Sequence, residues 1–350
     1  MTAVAVLRGL HLAALLSGLG AAGFLLWVMP AAGDARPATS AVVTLCRASL
    51  GLALLLGTVW FALLAGAIAD ADTAGAALAA LPVVASQTWV GHALLVRFAL
   101  VLLALVLAVL LPVRPKPASA RTVQTASAKP GLHDRHPPAI ALSCILVIIA
   151  IGLGIQGMIG HAGAGGSAAL VISEWLHLLA AGLWLGGLLP LWLAIARLAP
   201  ANAASVCERF SPIALACVLV LAATGVAQGL ALIGSLPALP DTPYGRIALI
   251  KIALFLMALA LAAVNRLWLT DRLAARHPCA RPAMRASVLA ETAIGLGIVM
   301  AAASLASHEP GVDQQPPASL SWLSERDCTI TCRIPLIHNA PPPPSIGRSS

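Results

Sequence analysis

Chemistry is easiest to argue from Glu174 and His177. They lie three positions apart inside an apolar run from Ala168 to Ala196, longer than the ~20 residues needed to cross a bilayer. Positions i and i+3 share a helix face, so the carboxylate and the imidazole point the same way. Ionisable groups at membrane depth are expensive, and by default they mark an ion or proton site. The spacing also suggests that Glu174 orients the second nitrogen of His177. Gly182, Gly186 and Gly187 follow, lowering the side-chain wall so that a neighbouring helix can come close. The plainer alternative is a polar helix end plus one core histidine bonded to a carbonyl.

The elements that must position this pair follow from composition. Of 350 residues, 60% are hydrophobic and 10% charged, with a mean hydropathy of +0.94. A soluble domain would carry roughly 25% charged residues. The fold class is therefore all-α: a polytopic transmembrane helical bundle. Apolar runs predict about eight spans, near 3–29, 42–69, 90–111, 139–160, 168–196, 211–233, 246–270 and 287–307. Each must be helical, because lipid offers the backbone no hydrogen bonds.

The loops set the orientation. Arg36, then Arg114, Lys116, Arg121, Lys129 and Arg135, then Arg197 and Arg209, then Arg266, Arg272, Arg276, Arg281 and Arg285 fall at alternate connections or just inside the spans they join. The remaining connections are nearly bare of Lys and Arg. That bias marks the cytoplasmic side, so both termini are expected in the periplasm. The net charge of +8 is then a topological signal, and no nucleic-acid partner is implied. Residues 1–310 read as one transmembrane domain, with a cytoplasmic Pro-rich basic linker at 112–138 that holds His133 and His136. Residues 311–350, rich in proline and carrying Cys328 and Cys332, read as a disordered periplasmic tail. The first 30 residues do not read as a cleavable signal, since the apolar run is too long and its charge, Arg8, lies inside it.

Orientation turns sequence position into depth. His11, His92, His161 and His177 all fall in the outer halves of their spans, with Met158 one turn from His161. Imidazole is the commonest metal ligand, and thioether sulfur adds a preference for Cu(I). Histidine with methionine points to copper before zinc. A second buried set comprises Arg8, Arg97, Lys251, Asn265, Arg266 and Glu291. Structural ion pairing is favoured over a transport role for these, with Lys251 paired to a carboxylate or snorkelling outward and Glu291 paired to Arg266 or Arg8.

Taken in order, these residues resemble the copper resistance protein D (CopD) family of bacterial inner-membrane proteins. The matching pieces are Leu7-Arg8-Gly9-Leu10-His11, Gly160-His161-Ala162, and His177 through Trp184-Leu185-Gly186-Gly187-Leu188-Leu189-Pro190. Arg209-Phe210-Ser211, Ala223-Thr224-Gly225, Tyr244-Gly245 with Lys251, Asn265-Arg266 and Glu291 follow. The resemblance implies copper handling at the inner membrane, contributing to copper homeostasis and resistance, beside a small periplasmic CopC-type copper-binding protein. The expected ligands are His11, His161 and His177, with Met158, Glu174 and His92 behind them. No catalysis is expected, and no Gly-x-x-x-x-Gly-Lys-Ser/Thr loop is present for ATP. Two other readings stay open. A b-type haem electron carrier would need histidines facing each other across spans, and a copper sensor or assembly factor would bind without transport.

Overall fold

In the computed structural model the described residues are 2–30, 35–111, 138–159, 167–233 and 238–308. His161, the tail, and the linker with His133 and His136 up to residue 137 lie outside them. The chain up to Val312 forms one compact unit.

Among the described residues eight helices are long and apolar enough to cross a membrane. Apart from the single turn Ala238–Asp241, the helices in chain order are α1 (Ala3–Trp27), α2 (Arg36–Ile68), a short α3 (Ala74–Gln87), α4 (Trp89–Leu110), α5 (Ala139–Ile159), α6 (Ala168–Arg197), α7 (Pro200–Ile233), α8 (Pro243–Ala274) and α9 (Ala280–Leu305). All but α3 are candidate spans, so the protein is a multi-pass membrane protein with an all-α fold.

Two features differ from the hydropathy reading. Helices α2, α7 and α9 start six to eleven residues before the apolar runs do, because residues such as Arg, Glu and Ala favour helix without favouring lipid. The connection after α2 holds the extra helix α3. Its 14 residues, with Pro82 inside, are too few to span, which is why hydropathy alone passes over it.

Chain termini of the helices are satisfied in two ways. Thr2, Thr73, Thr88, Ser167 and Thr242 cap α1, α3, α4, α6 and α8, each side-chain oxygen accepting a backbone N–H from the first turn. The opposite ends of α4 and α6 use arginine instead. Arg47 donates to the carbonyls of Ala108 (2.9 Å), Val109 (3.1 Å) and Leu111 (2.8 Å). Arg281 donates to Ile195 (2.7 Å) and to Leu198. Orphan carbonyls at a helix C-terminus favour a cation there. These two basic residues therefore hold helix ends together, beyond any role in topology.

The core is built on α1 and α6. Of the apolar window of α1, 78% is buried inside the protein, against 6% for α8. Helix α1 packs on α2, α5, α6 and α9, and α6 on α1, α2, α5, α7 and α9. The α1–α6 crossing is as close as backbones allow. A Cβ on Gly186 would lie 2.0 Å from the Leu16 carbonyl oxygen, and one on Gly20 would lie 2.1 Å from the Gly186 carbonyl carbon. The glycines after His177 thus do what their spacing predicts: they bring α1 against α6 and fix what α6 carries.

Candidate functional site

Glu174 is half-buried on α6 and faces a cavity of about 110 Å³. Arg8 from α1, Gln156 from α5, Gln228 from α7, and Tyr244 and Lys251 from α8 line the same space. Five helices thus direct polar groups to one point inside an otherwise apolar bundle. Arg8 and Lys251 both lie within electrostatic reach of Glu174. Behind the cavity wall sits Arg97 of α4, fully buried at 0% exposure. One Nη of Arg97 donates to Oε1 of Gln156, while its Nε and other Nη have no partner.

His177 lies one turn further along α6, and its partner is not Glu174. Its Nδ1 is 2.8 Å from the Thr224 hydroxyl of α7. That hydroxyl is 2.6 Å from the carbonyl of Val220 and donates to it, so it accepts from Nδ1–H of His177. The expected carboxylate–imidazole pair is therefore replaced by a threonine relay. The reason is packing: Thr224 sits across the α6–α7 interface, while Glu174 is drawn to the cations of the cavity. Nε2 of His177 keeps its lone pair.

His11 is held by a different set of helices. It is buried at 1% exposure, and its Nδ1 donates to the Ala53 carbonyl of α2 at 2.7 Å. The ring lies 5.7 Å from Trp60 and 6.3 Å from Phe98, centroid to centroid, the latter edge-on. A Cβ on Gly57 would touch the ring at 2.8 Å, so the glycine makes room for it. Nε2 of His11 is buried without a partner.

The other expected ligands scatter. His92 is exposed in the first turn of α4, and Met158 is 44% exposed. No group of three or more His, Cys, Asp or Glu able to hold a metal is found among the described residues. His11 and His177 each present one free imidazole nitrogen, a donor type that suits copper. The two imidazoles are held by different helices, His11 against α2 and His177 against α7.

Glu291 lies on α9. It pairs with neither Arg266 nor Arg8 by hydrogen bond. At 2% exposure, its carboxylate accepts from Trp184 Nε1 and from Asn265 Nδ2, each at 3.0 Å. Asn265 opens a π-helical turn, Asn265–Leu269, and Arg266 turns outward to donate to Ser211. Gln156 and Gln228 were not visible as site residues, since a lone carboxamide in an apolar run carries no charge signal. Arg97 was visible as an intramembrane charge, but its partner could not be read.

Two family models match the chain in order. Copper resistance protein D-like, N-terminal domain, matches residues 1–129, and Copper resistance protein D matches residues 204–305. The first takes in α1 to α4 and the second most of α7 to α9. Copper transport protein CutJ of Bacillus subtilis (strain 168) is 33% identical over 141 residues, which are 39% of this chain and 25% of that protein. The match therefore spans only a quarter of that relative's length. No solved structure matches the chain.

Proposed function

The chain belongs to the copper resistance protein D family, and from that premise we propose that it handles copper in the bacterial inner membrane. Copper is its cargo, taken up on the periplasmic side and passed inward, as a carrier and not a catalyst. The observation that carries this reading is that both halves of one bundle match copper resistance models. The comparisons speak for copper and lend nothing to haem. The named relative, a copper transport protein, favours movement over sensing.

Geometry supports passage through single-nitrogen stations. Nδ1–H of His177 is committed to Thr224 and that of His11 to Ala53, so Nε2 is the atom left to each for copper. A cargo must bind well enough to enter and weakly enough to leave. One imidazole at a time satisfies that, where a closed cage would trap the ion. His161 is proposed as the entry ligand and a periplasmic CopC-type protein as the copper donor. The Lys and Arg bias of alternate loops sets the orientation and puts Glu174 and His177 in the outer part of α6, where copper from the periplasm would arrive first.

The test is copper content of cells expressing the protein, by mass spectrometry, beside a reporter fusion at Arg276. Cell copper is expected to rise, and the fusion to report cytoplasm. Lowered copper would reverse the direction, and unchanged copper would remove transport altogether. A periplasmic signal at Arg276 would overturn the orientation.

A further inference from the structure

The cavity that Glu174 faces is lined mainly by hydrogen-bond donors. Its cations are Arg8 and Lys251, against one carboxylate, Glu174. Arg97 adds a third cation directly behind, and Arg8 is the charged group that acts on it. The carboxamide oxygen of Gln156 is taken by Arg97, which leaves the NH2 end of Gln156 as its free group, a donor. The Tyr244 hydroxyl completes the set. No hydrogen bond from Arg8, Lys251 or Tyr244 to the protein is made among the described residues at this site.

This arrangement is wrong for a cation and right for an anion. An uncompensated charge inside a membrane protein is costly, and three cations around one carboxylate leave an excess of positive charge. Water can hydrate donors but cannot neutralise them. A guanidinium presents a planar fork of N–H groups, and its best complement is an oxygen-bearing anion. The volume of about 110 Å³ has room for several waters or for one small polyatomic group.

We propose that the cavity bounded by Arg8, Gln156, Glu174, Tyr244 and Lys251 binds a phosphate oxyanion, free or as the headgroup of an anionic lipid. Arg8 and Lys251 hold it directly. Gln156 and Tyr244 donate from the sides, and Arg97 positions Gln156. Glu174 opposes the anion and sets its affinity low enough for exchange. The site stands beside the copper reading and does not depend on it.

The experiment uses the full chain, copper-free, in nanodiscs and phosphate-free zwitterionic buffer, with thermal unfolding as the readout. One arm titrates inorganic phosphate into protein in neutral phosphatidylcholine discs. The other replaces part of the phosphatidylcholine with phosphatidylglycerol and adds no phosphate. A saturable rise in Tm in either arm supports the site, and the arm that responds identifies the source. The rise is expected to vanish in Lys251→Met and to weaken in Arg8→Gln. In Glu174→Gln half-saturation should need a roughly tenfold lower concentration, because a repelling charge has been removed. This last sign does not depend on Lys251→Met folding, and a cation site requires the opposite. Flat curves in both arms, an undiminished rise in Lys251→Met, or a weaker response in Glu174→Gln would overturn the proposal. No copper enters the measurement, so its outcome is separable from that of the copper-content test.

Discussion

Glu291 and Glu174 are both carboxylates inside the same bundle, and their surroundings treat them in opposite ways. Glu291 is closed in: an indole N–H and a carboxamide N–H2 satisfy its two oxygens at 3.0 Å each. Glu174, some 15 Å further toward the start of α6 at 1.5 Å per residue from Trp184, opens onto a cavity among cations. The first arrangement engages both carboxylate oxygens and ties α6, α8 and α9 together, with the Asn265 Oδ1 left buried without a partner. The second leaves charge and hydrogen-bonding capacity unspent. An intramembrane carboxylate is thus structural or functional according to what faces it, not according to its depth or type.

The seam that holds both clusters in place should fail most severely. Gly186→Val puts carbon where the Leu16 carbonyl oxygen already lies 2.0 Å away, and backbone cannot step aside as a side chain can. A loss of about 3 kcal/mol or more is expected, read as little or no monodisperse protein by size-exclusion chromatography. A folded Gly186→Val protein would mean that α1 and α6 can separate without loss, and the shared frame of the comparison would go.

The two carboxylates themselves come next. Glu291→Ala leaves the Trp184 and Asn265 donors buried without acceptors, and is expected to cost about 2–4 kcal/mol. Glu174→Gln strands no hydrogen-bond donor, and because the cavity admits water to the cations it leaves behind it should cost less than Glu291→Ala. Denaturant unfolding in mixed micelles compares them directly. Equal losses would erase the distinction between a closed and an open carboxylate.

Much of this frame is legible in the sequence, and the limits are physical. Eight spans follow from hydropathy because the backbone has no other way through lipid. Helix α3 does not, since 14 mostly apolar residues interrupted by Pro82 satisfy neither a span nor a loop pattern. Gly182, Gly186 and Gly187 announce a close crossing, yet nothing local says that the partner is Leu16 and Gly20. The three-residue spacing of Glu174 and His177 on one helix is likewise local. Their choice of partners is not local: Thr224 is 47 residues from His177, and it wins because α7 packs on α6. His11 could be placed at depth but not in its box of Trp60 and Phe98, which α2 and α4 build from residues 49 and 87 positions away.

The central claim is that His177 holds copper and is more than a packed core histidine. Copper per folded molecule, measured after size-exclusion chromatography on the wild type and on His177→Ala at matched copper exposure, tests it most directly. The lone pair left on Nε2 of His177 predicts that the wild type carries copper and that folded His177→Ala carries less, by the share held at this station. If folded His177→Ala carries as much copper as the wild type, the imidazole serves only its bond to Thr224, and the copper path lies elsewhere.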